Sequence, residues 1–188
     1  MLLDLVLAAS LATSRDKKGN CTTADGLQAF TCLFRMNDFI EKIDELDMDD
    51  KNEVKEFKKS CDTLQSCFAV LNCRAKKDQE EVDVPKMIKS YCDLVVYIST
   101  DFALCTEKLE TKKSKCYQDW DPFPDVKNEK DETKKVEAKK EACKTYFGKD
   151  YCLKKEITET CSAKEWTGFH NHFVNVNFFM NQCEKSQL

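Results

Sequence analysis

Asp50–Cys73 reads DKNEVKEFKKSCDTLQSCFAVLNC, and its spacing decides the fold. Val54, Phe57, Cys61, Leu64, Phe68 and Leu71 recur at steps of three and four residues, one continuous apolar stripe of an α-helix. Asp50 stands three residues before Glu53, the pattern of a capping box that opens a helix. Cys61, Cys67 and Cys73 follow at six-residue steps. Such steps point about 120° apart around a helix. Covalent partners are therefore expected on three sides, which places this helix centrally.

The same periodicity extends outward in both directions. An earlier helix is predicted over about Asp25 to Leu46, with Leu27, Phe30, Phe34, Ile40 and Ile43 turned inward. An acidic connector, Asp44 to Asp50, joins the two. Pro85 fits the first turn of a third helix. Ile88, Tyr91, Cys92, Val95, Ile98, Ser99, Phe102, Cys105 and Leu109 share one face of it, so it is expected to run to about Glu110 as the longest in the chain. A charged loop from Gln118 to about Glu132 follows. Next come a helix over Thr133–Phe147, stopped by Gly148, and a short one over Asp150–Cys161. The last helix opens with Ser162-x-x-Glu165 and carries Trp166, Phe169, Phe173, Val176, Met180 and Cys183. With only 4 glycines and 3 prolines, turn residues are too few for an all-β fold. The expectation is an all-α, disulfide-rich bundle of about five to seven helices.

The 12 cysteines stand at Cys21, Cys32, Cys61, Cys67, Cys73, Cys92, Cys105, Cys116, Cys143, Cys152, Cys161 and Cys183. No two are closer than six residues, whereas zinc sites use close Cys-x2–4-Cys pairs or added histidines, and the chain has 2 histidines. An even number of cysteines therefore reads as about six disulfides and an oxidising, extracellular setting. Leu2–Ala12, LLDLVLAASLA, is an apolar stretch with small residues where cleavage would fall, so 1–12 reads as a signal peptide or the remnant of a leader. It is short, lacks a basic start and contains Asp4. No apolar run approaches the ~20 residues needed to span a membrane. The net charge of −4 has both signs mixed along the chain, which gives no case for nucleic acid. Asn20-Cys21-Thr22 is a glycosylation sequon.

The cysteines also carry a coarse repeat. Steps within the first six are 11, 29, 6, 6 and 19; within the second six they are 11, 27, 9, 9 and 22. Long and paired short gaps recur in the same order. The domain spanning 21–184 thus reads as two related halves, 21–92 and 105–183, against the alternative of chance spacing.

Cys61-x5-Cys67-x5-Cys73, Tyr146-Phe-Gly-Lys-Asp-Tyr-Cys152 and Cys161-x4-Trp166 resemble a nematode family of secreted cysteine-rich proteins, domain of unknown function 19. The likeness covers Cys21 to Cys183. It implies secretion, a helical fold and six bridges, and it brings no catalytic motif.

No nucleophile arrangement, H-E-x-x-H motif or glycine-rich phosphate loop is present. His170 and His172 lie two apart on a helix and face different directions. An EF-hand starting at Asp47 would need glycine at position 52 and glutamate at position 58, where the chain has Asn52 and Lys58. The expectation is thus a non-enzymatic chain with no metal and no cofactor. Trp120 and Phe123, in the charged loop, are candidates to anchor a protein partner or, alternatively, to fold back over the core. Phe169, Phe173, Phe178 and Phe179 make the last helix apolar over a wide arc, read either as core or as the lining of an apolar-ligand cavity. The functional expectation is a secreted binding protein of extracellular matrix, immune or host-contact type. The alternative is a carrier of a hydrophobic small molecule or lipid.

Overall fold

A computed structural model of the chain describes residues 23–69, 84–122, 131–180 and 183. Among these residues every regular element is helical, as expected of an all-α chain. The chain divides into two compact units, Met1–Val96 and Tyr97–Leu188.

The first unit is built from α1 (Thr23–Asp44), α2 (Lys51–Ala69) and most of α3 (Val84–Ser99). Asp50 opens α2 as expected, its carboxylate accepting from the N–H groups of Asn52 at 2.7 Å and Glu53 at 3.4 Å. The Glu53 carboxylate reaches further back than a simple capping box, to the N–H of Asp47 at 2.9 Å. The stripe Val54, Phe57, Cys61, Leu64 and Phe68 is buried throughout. Two bridges hold α2 between its neighbours: Cys32–Cys67 to α1 and Cys61–Cys92 to α3. Cys21 and Cys73 lie outside the described residues.

The phase of α1 differs from the expected one. Its buried face carries Cys32, Met36 and Phe39, while Leu27, Phe30 and Phe34 are exposed. Ile40 and Ile43 are half-buried at the margin. Helix α1 is apolar on two sides, so periodicity alone could not orient it. The Cys32 bridge and the stacking of Phe39 on Phe57, with ring centroids 5.4 Å apart, decide which side faces α2.

The second unit contains α4 (Ala103–Thr111), α5 (Lys115–Gln118), α6 (Glu132–Lys144), a 3-10 turn (Lys149–Tyr151), α7 (Cys152–Thr160) and α8 (Ala163–Met180). Helix α7 is the hub. Cys105–Cys161 ties its end to α4, Cys116–Cys152 ties its start to α5, and it packs along α8. Cys143–Cys183 joins the end of α6 to the chain beyond α8.

Two expected helices are shorter than their patterns suggest. The helix predicted to continue to Glu110 breaks after Ser99. There the Phe102 N–H donates to the carbonyl of Tyr97, five residues back, at 2.9 Å, and the same carbonyl accepts from Thr100 at 3.3 Å. The apolar stripe continues across this break in nearly the same phase, so its spacing looks like one helix. The helix predicted to reach Phe147 ends at Lys144. Tyr146 and Phe147 are both buried. Consecutive residues on a helix diverge by about 100°, so leaving the helix lets both rings turn inward.

Gly148 follows in a conformation that other residues avoid, φ 80° and ψ 162°. A Cβ there would lie 2.6 Å from the Cys152 sulfur and 2.9 Å from that of Cys116. Gly148→Ala should therefore destabilise the protein by at least ~1–3 kcal/mol from backbone strain alone. It should also speed reduction of the Cys116–Cys152 bridge, read by timed alkylation under limiting reductant. Unchanged stability and an unchanged rate would contradict this account of the turn.

Candidate interaction surface

The second unit is closed by aromatic rings along α8. Ser162 caps that helix, its hydroxyl accepting from the Glu165 N–H at 3.1 Å. Trp166, Phe169, Phe173 and Val176 then turn inward as their spacing predicts. Phe169 meets Phe102, Phe173 and Trp120 at centroid distances of 4.9, 4.5 and 5.1 Å. His170 stacks on Phe147 at 4.8 Å and His172 on Tyr97 at 4.3 Å, each on its own side of the helix. Tyr97 lies across α8 and donates to the Glu165 carbonyl at 3.2 Å. Glycine at position 168 permits that approach, because a Cβ would sit 2.6 Å from the Tyr97 hydroxyl. The Tyr146 hydroxyl donates to the Phe173 carbonyl at 2.9 Å, and burial pushes its phenol above the ordinary range.

Trp120, a candidate partner contact, is instead engaged with this core. Its indole Nε1 donates to the Tyr146 carbonyl at 2.7 Å, and its rings pack on Phe169 and Phe173. An unpaired indole N–H would be costly beside these rings, so the hydrogen bond explains why the ring turns inward from a charged loop. Phe123 lies outside the described residues, and so do the side chains of Phe178 and Phe179. Phe169 and Phe173, candidate ligand-lining residues, are filled against other rings. One polar side chain inside this unit went unnoticed in the sequence. Asn177 is fully buried with neither amide atom hydrogen-bonded. Its place four residues after Phe173 on the inward stripe is the signal that would have found it.

The apolar groups left outward lie in the first unit. Leu27, Phe30 and Phe34 follow one another on α1 at helical spacing and are 67%, 59% and 60% exposed. The two rings meet edge to face, with centroids 4.8 Å apart. Leu27 also borders an open groove of about 700 Å³. Thr31 and Arg35 line it from α1, and Asp62, Ser66 and Cys67 from α2. The row is thus an apolar ridge flanked by polar and oppositely charged groups. Because Cys67 is bridged to Cys32, the groove's two walls are covalently joined.

The connector that suggested calcium spends carboxylates on backbone. Asp47 accepts from the Asp49 N–H at 2.9 Å, and Asp50 caps α2.

The helical scaffold and its cysteine framework coincide with a family model, Domain of unknown function (DUF19), which matches residues 21–184. The chain belongs to the DUF19 family. Three similar proteins come from Caenorhabditis elegans. UPF0376 protein F10G2.1 is 52% identical over 185 residues, covering 98% of this chain and 92% of the relative. Excretory canal abnormal exc-13 is 51% identical over 190 residues, covering 100% and 94%. UPF0376 protein C36C5.12 is 46% identical, covering 100% and 86%. No solved structure matches this DUF19 chain. Among its described residues no helix is long and apolar enough to cross a membrane.

Proposed function

We propose that this protein is a secreted, non-enzymatic binding module that engages an extracellular protein partner through α1. The exposed Leu27–Phe30–Phe34 row carries this reading. Large apolar side chains grouped on a surface with a polar rim are the usual anchors of protein interfaces. The bridge from α1 to α2 keeps such a surface ordered before binding, which lowers the entropy cost of association. The number of disulfides supports an oxidising, extracellular setting. A relative named for an abnormal excretory canal supports looking for the partner on or around that canal.

The test compares the oxidised wild type with the double variant Phe30→Asp/Phe34→Asp as affinity baits in native extracellular material. Both side chains are exposed, so the variant should keep the wild-type circular dichroism. The expected result is a protein retained by the wild type and lost with the variant. Identical captures from both baits would rule out this surface, and a co-purifying lipid without protein would favour a carrier.

A further inference from the structure

The exposed row on α1 does not end at Phe34. Asp38, Glu41 and Glu45 continue it at steps of four, three and four residues, and all three are exposed. Such steps stay on one side of a helix. Glu45 stands just past the helix end at Asp44. The outward line of α1 is therefore apolar along its first half, at Leu27, Phe30 and Phe34, and acidic along its second. Among the described residues no lysine or arginine pairs with these carboxylates. Glu41 accepts from the Asn37 amide of the same helix at 3.0 Å. The cations of α1 lie to one side of the line. Arg35 lines the groove towards α2, and Lys42 donates to the Ser60 hydroxyl of α2 at 3.1 Å.

We infer that the partner segment docked on this face is a cationic amphipathic helix. Its large apolar side chains lie over Leu27, Phe30 and Phe34, and its lysines or arginines over Asp38, Glu41 and Glu45. The inference rests on the docking role proposed above for α1 and adds the chemistry of the partner. Leu27 to Glu41 spans ~21 Å at 1.5 Å per residue, so a partner helix of about four turns matches the face. Helices recognised in this way present anchors at three- and four-residue steps. Charge complementarity favours this occupant over two others. Antiparallel copies of this chain would set the carboxylates of one over the phenyl rings of the other, and parallel copies would set carboxylate on carboxylate, a costly juxtaposition. An anionic membrane surface would repel the acidic half of the line. The carboxylates are exposed, so salt screens them. They fix the direction and choice of the partner helix, while the apolar half supplies most of the hold.

Panning the full oxidised chain against a phage-displayed library of helical peptides about four turns long tests this. Enriched peptides should carry apolar residues at helical spacing, with lysine or arginine about one to two turns beyond them. Synthetic fluorescent copies are then titrated by anisotropy at low salt. Binding should be lost with Phe30→Asp/Phe34→Asp. It should weaken about tenfold or more with Asp38→Asn/Glu41→Gln/Glu45→Gln, the combined effect of several exposed pairs that are each weak. The amides keep side-chain size, so the triple variant should retain the wild-type circular dichroism. Binding lost with the phenylalanine variant but unchanged in the triple variant would overturn the cationic chemistry and leave the docking role of α1 standing. Enrichment of peptides without a basic turn would do the same. Binding unchanged in both variants would overturn both readings. Self-association in the ultracentrifuge that the phenylalanine variant abolishes would assign the face to a second copy instead. Flotation with phosphatidylserine vesicles, lost in the same variant, would assign it to a lipid surface; either result overturns the proposal.

Discussion

Full reduction in native buffer should unfold the protein. Each native bridge contributes ~2–4 kcal/mol, and the whole stability of an ordinary domain is ~5–15 kcal/mol. The five described bridges therefore outweigh the margin on which such a fold rests. Composition offers little to replace them, since 34% of the residues are charged and the 41% apolar fraction already includes the cysteines. Far-UV circular dichroism after reduction, with twelve thiols confirmed by titration, should show most of the helical signal lost and no cooperative thermal transition. Helices shorter than ~12–15 residues are marginal alone in water, and α4, α5 and α7 fall below that length. A reduced protein that kept a helical spectrum and a sharp melt would show that packing alone specifies the fold.

Phe169→Ala should be the most damaging single substitution in the aromatic core. The side chain is wholly buried and has ring neighbours on several sides, Phe102, Trp120 and Phe173 among them. Removing such a ring costs ~3–5 kcal/mol, because the transfer energy is lost and the cavity closes only in part. Denaturant unfolding with the disulfides intact should show this as a lowered midpoint at nearly unchanged slope, with Phe169→Leu recovering part of the loss. A cost below ~1 kcal/mol would mean that the rings around it repack freely.

Much of this architecture is legible residue by residue. The stripe from Val54 to Phe68 lies on one side of α2, and that side is buried. The Asp50 and Ser162 caps form as their spacing indicates. What periodicity resolves is a face, however, not which of two faces meets a neighbour. On α1 that ambiguity concealed the candidate surface. Leu27, Phe30 and Phe34 form as regular a pattern as Met36 and Phe39, and they face the opposite way. At Trp120 the structure chose between two readings. The charged loop left presentation and folding back over the core both open, and the indole N–H has a carbonyl to satisfy inside.

The sequence alone therefore determines the helical class, the disulfide-bearing character and the family, since helix periodicity, caps and cysteine spacing are local or countable. Only the tertiary structure decided three further things: the partners of the ten described cysteines, the break between α3 and α4, and the side of α1 left to solvent. Each depends on which surfaces are brought together across the chain, and a one-dimensional pattern holds no record of that.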